Sequence, residues 1–260
     1  MPTLALPYRG PMQSDQIALQ LYTVRRLAAI DLAGTLQSVA TAGYRAVELA
    51  GLPEIAPPEL KRMLDENGLQ VVASHEGIER LRADAGAVAG RLVELGCPRA
   101  IVPWLPEADR ATATDVRRFS SELGDHARRL AQDEITLGYH NHDFEFAPLD
   151  GTTVWDVLLA GLPPEVELEL DVYWAAVGGR DPVTEIGAIA DRLRLLHMKD
   201  RAAGPTLHDA PTGKGILPFP AMVDAATAAG VAWYVVEQDE PTEPLEDIAA
   251  SLRYLESLAD

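Results

Sequence analysis

The chain has 260 residues, 47% of them hydrophobic, which supports a substantial folded core and excludes a disordered chain. Lys and Arg number 22 against 40 Asp and Glu, a formal charge of −18, so no basic footprint for nucleic acid is present. The single cysteine, Cys97, excludes an intrachain disulfide and a cysteine-based zinc cluster.

Residues 1–15 read as an N-terminal extension. They carry three prolines and one arginine and lack the apolar run of a signal peptide or anchor. No stretch approaches the roughly 18 apolar residues of a membrane helix, so a cytoplasmic protein is expected. From residue 16 onward, short β-rich runs alternate with helical ones. The first strand reads Ile17 to Tyr22, followed by a helix from Asp31 to Ala42 that Gly43 closes. Strand Ala46–Leu49 leads to a helix opened by Pro57-Pro58 and ended at Asn67-Gly68. Strand Leu69–Ala73 precedes a helix from Ile78 to Leu95, closed by Gly96. Strand Ala100–Pro103 precedes a helix over Thr112–Ala131, where Val116, Phe119, Leu123, Ala127 and Leu130 step by three or four.

The fifth strand is Ile135–His140, with a helix over Thr153–Ala160. The sixth, Val166–Asp171, precedes a helix started by Asp181-Pro182. The seventh, Leu193–His197, precedes the helix Pro218–Ala229. The eighth, Trp233–Glu237, precedes the helix Pro244–Leu258. Eight strand–helix units of roughly 32 residues match a (β/α)8 TIM barrel. Several strands are apolar on both faces, as parallel strands under helices must be. An open doubly wound sheet would show a glycine-rich phosphate loop after an early strand, and none is present. The expected fold is therefore α/β, a single barrel domain over residues 16–260.

In such a barrel the chemistry lies where strands end. Strands five to eight end in His140, Asp171, His197 and Glu237. A lone acid or histidine there is more often a cap or a hydrogen-bonded structural group. Four on successive strands point to one divalent ion, with Mn, Co, Zn, Fe and Mg all compatible. Gln20, Tyr22, Glu48, His75 and Trp104 end the other strands or follow them, Trp174 follows the sixth, and all are candidates for substrate binding. Gly213-Lys214-Gly215 reads as a tight turn rather than an anion site, so a phosphorylated substrate is not expected.

Several segments carry a resemblance. They are Leu19–Arg25, Val47–Gly51, Tyr139-His140-Asn141-His142-Asp143-Phe144-Glu145-Phe146, Leu170–Trp174, His197-Met198-Lys199-Asp200, Gly213–Gly215 and Val236–Asp239. In this order and spacing the chain resembles the xylose isomerase-like TIM barrels, in particular the sugar phosphate isomerase/epimerase family. The resemblance implies a metal held by Glu, Asp, His and Glu from strands five to eight. Asp171, His197 and Glu237 match the last three. His140 stands where the first glutamate belongs, and Glu145, five residues on, is the other candidate for that place.

The resemblance implies proton abstraction next to a carbonyl through an enediolate, on a keto sugar, sugar acid or cyclitol. Glu237 would be one base, and His140, His142 or Glu145 the group on the opposite face. Lys199 would bind a hydroxyl, polarise a carbonyl or protonate a leaving group. An isomerase or epimerase is the first expectation. A lyase or dehydratase on a keto sugar or inosose is the second, since a carboxylate facing a histidine suits elimination. A non-catalytic sugar-binding barrel is the third. A homodimer is compatible with the resemblance, and a DNA-cutting relative is set aside on charge.

Overall fold

The computed structural model describes residues 11–259. Eight parallel strands close into a barrel: β1 (Ile17–Gln20), β2 (Ala46–Leu49), β3 (Gln70–His75), β4 (Arg99–Val102), β5 (Thr136–His140), β6 (Glu167–Asp171), β7 (Leu193–His197) and β8 (Trp233–Val236). Each strand pairs with its chain neighbours, and β1 pairs with both β2 and β8, so the sheet closes. The outer helices are α1 (Leu32–Ala42), α2 (Pro57–Glu66), α3 (Ile78–Leu95), α4 (Ala113–Leu130), α5 (Val154–Gly161), α6 (Pro182–Ala188), α7 (Phe219–Ala229) and α8 (Pro244–Glu256). Among the described residues no helix is long and apolar enough to cross a membrane.

The helix ends follow local chemistry. Asp31, Thr112, Thr153 and Asp181 each accept an amide from the first turn of the helix they precede. Inside α3, Asp84 leaves helical geometry, and its carboxylate accepts the Ala87 amide at 2.9 Å, which restarts the helix. Residues 1–10 of the expected extension lie outside the described residues. Met12 is buried in the core, and Gln16 donates to the Ala232 carbonyl at 3.2 Å, at the start of β8.

Two apolar layers result from strand alternation. Outward residues such as Leu19, Val47, Leu137, Leu168 and Leu170 pack beneath the helices. Inward residues Ala18, Ala46, Val72, Ala73, Ile101, Leu195 and Val235 fill the barrel. A methyl group on Gly138 would lie 2.6 Å from the Ile101 side chain, so this glycine makes room for the plug. Below the plug, Glu167 bonds Arg99 at 3.0 Å. Above it, the inward positions turn polar, and register brings them side by side: Gln20 with Glu48, His140 with Glu169, Asp171 with His197.

Several segments differ from the sequence reading. β1 stops at Gln20 because its side chain accepts the Tyr22 amide and starts a 3-10 turn over Leu21–Val24. β3 runs on to His75, which places that residue in the barrel wall. A short helix, Val172–Val177, follows β6, and two-stranded ribbons pair Pro148–Leu149 with Thr152–Thr153 and Asp200–Arg201 with Asp209–Ala210.

Candidate metal centre and cleft

Asp171 ends β6 and caps the short helix that follows. Its Oδ1 accepts the amides of Tyr173 at 2.8 Å and Trp174 at 3.0 Å. This fixes the carboxylate and leaves Oδ2 fully buried without a hydrogen-bond partner. Oδ2 lies 4.0 Å from His140 Nε2 and 4.0 Å from Lys199 Nζ. Beside it, His197 Nδ1 is 3.0 Å from Glu237 Oε2. Asp171, His197 and Glu237 each offer a donor atom within 4.8 Å of the others.

A second group lies deeper. Glu169 Oε2 is 2.9 Å from both His75 Nε2 and His140 Nδ1, and 3.2 Å from His197 Nε2. Glu48 Oε2 is 2.7 Å from His197 Nε2 and accepts Gln20 Nε2 at 2.9 Å. The remaining oxygens of Glu48 and Glu169 are buried without hydrogen-bond partners, that of Glu48 lying 3.5 Å from His75 Nε2.

Burial and the neighbouring Glu169 charge push the Glu48 carboxyl up to about 7. Burial pushes Asp171 up to about 7 despite Lys199 nearby. Burial also works against Glu237, but Lys199 and His197 outweigh it and hold that carboxyl well below the usual range. So many buried carboxylates at one barrel mouth repel one another, and a dication among them removes the cost. The orphaned Asp171 Oδ2, with imidazole nitrogens and Glu237 beside it, is a mixed nitrogen and oxygen set that fits a divalent ion.

Glu145 joins neither group. It accepts the Tyr139 hydroxyl at 2.5 Å and the His142 amide at 2.8 Å. Tyr139 alternates with His140 along β5, so it faces the helices and meets the Phe119 ring edge-on. The turn Phe144–Phe146 carries Glu145 to that outer side, where it orders the loop bearing His142. Burial pushes the Glu145 carboxyl up to about 7, with the two hydrogen bonds opposing.

Lys199 is fully buried and bonds the Asp239 carboxylate, with Glu237 at 3.7 Å. Its ammonium lies 4.7 Å from the Trp174 ring centre and 5.0 Å from that of Tyr173. The sequence suggests Asp171 or Asp200 as its partner. Asp200 instead accepts the amides of Gly213, Gly215 and Leu217 at 3.0, 2.7 and 3.1 Å. The glycine turn thus spends its amides on an internal carboxylate. Gly213 needs its positive φ of 84°, and a Cβ on Gly215 would fall on the Arg201 carbonyl.

A cleft of about 410 Å³ opens over the upper group, a size that suits a small ligand. Tyr22, His75, Trp104, His140, His142, Trp174, Glu237 and Asp239 line it. His142 stacks on Phe144, and its Nδ1 has no partner. Burial, then His140 and Lys199, hold its ring well below the ordinary range, so it stays neutral. Gln20 and Glu48 lie beneath the cleft and do not line it. Sequence reasoning missed Asp239 and Glu169. The signal for Glu169 was present: Glu167-Leu168-Glu169-Leu170-Asp171 alternates, which puts all three acids on the inner face.

Residues 36–258 match the family described as xylose isomerase-like TIM barrel. An inosose dehydratase from Geobacillus kaustophilus (strain HTA426) is 30% identical over 193 residues, covering 64% of this chain and 60% of the dehydratase. The chain therefore spans less than two thirds of that relative's length. A sugar phosphate isomerase/epimerase from Parabacteroides distasonis superposes with a TM-score of 0.82 over 100% of both chains at 24% identity. The IOLI protein with a bound zinc atom gives 0.71 over 94% of this chain and 97% of its own, at 14% identity. At these identities the two structural likenesses are likenesses of fold.

Proposed function

Because the chain belongs to the xylose isomerase-like TIM barrel family, we propose that it is a metal-dependent enzyme that removes the elements of water from a keto sugar or an inosose-like cyclitol. One observation carries the choice of elimination over epimerisation. An epimerase of the expected kind needs a carboxylate on each face of the substrate, and Glu145, the candidate for the second, is committed to Tyr139 and the His142 amide. The 30% identity with an inosose dehydratase supports the same choice. Isomerisation needs only one base and is the second reading, favoured by Glu237, a cleft-lining carboxylate beside the His197 imidazole.

His140, Asp171, His197 and Glu237 would hold the ion. A divalent cation bound there supplies a Lewis acid against negative charge growing on a carbonyl oxygen. The remaining chemistry belongs to side chains. Glu237, kept ionised by Lys199 and His197, accepts the proton from the carbon next to the carbonyl. The neutral His142 imidazole hydrogen-bonds the hydroxyl that leaves from the neighbouring carbon. Glu237 then gives that proton to the departing hydroxyl, so that one water leaves, the carboxylate is restored and a carbon–carbon double bond remains. Trp104, Trp174 and Tyr22 give the ring apolar walls. Arg25 lies 3.8 Å over the Tyr22 ring centre and donates to the Asp239 carbonyl at 2.7 Å, which fixes one wall.

The test is incubation of Mn²⁺- or Co²⁺-loaded protein with inososes and 3-keto sugars in deuterated water, followed by NMR. Loss of water to an enone or its dione tautomer is the expected result. Deuterium entering carbon with no water lost would replace elimination by isomerisation or epimerisation. Binding of sugar with no exchange and no metal uptake would leave a non-catalytic barrel.

A further inference from the structure

We infer that Glu169 is a positioning residue that fixes the ring tautomer of His140 from beneath the metal centre; the inference rests on the centre proposed above. Glu169 is fully buried on the inner face of β6, and no part of it lines the cleft. Its Oε2 faces three ring nitrogens: His140 Nδ1 and His75 Nε2 at 2.9 Å, and His197 Nε2 at 3.2 Å. An ionised carboxylate only accepts, so the ring nitrogens that face it carry hydrogen.

A neutral imidazole has one N–H and one lone pair. Hydrogen on His140 Nδ1 leaves the lone pair on Nε2, the nitrogen 4.0 Å from the orphaned Asp171 Oδ2. His197 faces carboxylates through both nitrogens, Glu169 and Glu48 through Nε2 and Glu237 through Nδ1 at 3.0 Å, so Glu169 alone does not set its tautomer. The buried carboxylate turns the His140 lone pair toward Asp171. An ion in the deeper group of His75, His140, Glu169 and His197, whose donor atoms also lie within 4.8 Å of one another, would need that lone pair on Nδ1 instead. The geometry therefore assigns Glu169 to act on the upper centre through His140.

Two measurements test this. In zinc-loaded protein with ¹⁵N-labelled histidine, long-range ¹H–¹⁵N correlation should show His140 protonated at Nδ1 and not at Nε2. Glu169→Gln should weaken Co²⁺ binding by roughly 10- to 100-fold, read from the visible spectrum of Co²⁺. Glu167→Gln, on the same face of β6 but bonded to Arg99 below the plug, should leave Co²⁺ affinity unchanged. The opposite His140 tautomer, an ion bound in the deeper group, or a Glu169→Gln affinity within about twofold of the parent would overturn the assignment. If that variant does not fold, the His140 tautomer of the parent protein decides. Failure of the parent to take up Co²⁺ would remove the metal centre itself, whereas tight parent binding that Glu169→Gln leaves unchanged would remove only the role of Glu169.

Discussion

Glu237→Gln is expected to lower kcat by about 10²- to 10⁴-fold, the range a positioned general base contributes, without altering the far-ultraviolet circular dichroism spectrum. The amide has the same shape and keeps an oxygen, but it cannot take up a proton. Lys199 retains Asp239 as its partner, so the buried ammonium is not stranded. Some loss of metal affinity should accompany the change, because Glu237 is also in the donor set. Saturating the variant with Mn²⁺ separates the two effects: affinity is restored by concentration, and the missing base is not. A kcat within about tenfold of the parent at saturating metal would mean that another group removes the proton.

Lys199→Met should destabilise the metal-free protein by about 3–5 kcal/mol, measured by urea unfolding. Methionine nearly fills the space beside the Tyr173 and Trp174 rings, so lost volume is a minor part of the cost. The larger part is electrostatic. Asp239, Glu237 at 3.7 Å and Asp171 at 4.0 Å would share a buried site without the ammonium that now offsets them. Saturating divalent metal should recover much of the loss, since an ion that binds only the folded state stabilises it by mass action. A change below about 1 kcal/mol in the metal-free protein would show that these carboxylates do not depend on Lys199.

The architecture was legible because each unit carries its own punctuation. Asp31, Thr112 and Asp181 announce helix starts, and Gly43, Gly96 and Gly230 announce ends in left-handed backbone. Asp171, His197 and Glu237 were legible as a set because a closed parallel barrel brings successive strand ends to one mouth. What stayed hidden depends on side-chain direction within a loop or strand. Glu145 lies close to His140 in sequence, yet the turn at Phe144–Phe146 swings it to the helix side, where Tyr139 holds it. Glu169 was passed over because only strand ends were read, although strand alternation places it inward. Lys199 has Asp200 next to it in sequence and Asp171, Glu237 and Asp239 around it in space, and only the packing of the loop after β8 selects Asp239. The metal set also reads differently in three dimensions: His140 Nε2 approaches Asp171, while its other nitrogen is tied to Glu169.

The most direct measurement is anomalous scattering from crystals grown with Co²⁺ and collected on both sides of the cobalt absorption edge. A single peak per chain is predicted, in contact with Asp171 Oδ2, His197 Nδ1, Glu237 and His140 Nε2. A peak beside Glu145, or no peak in this mouth at saturating cobalt, would contradict the account.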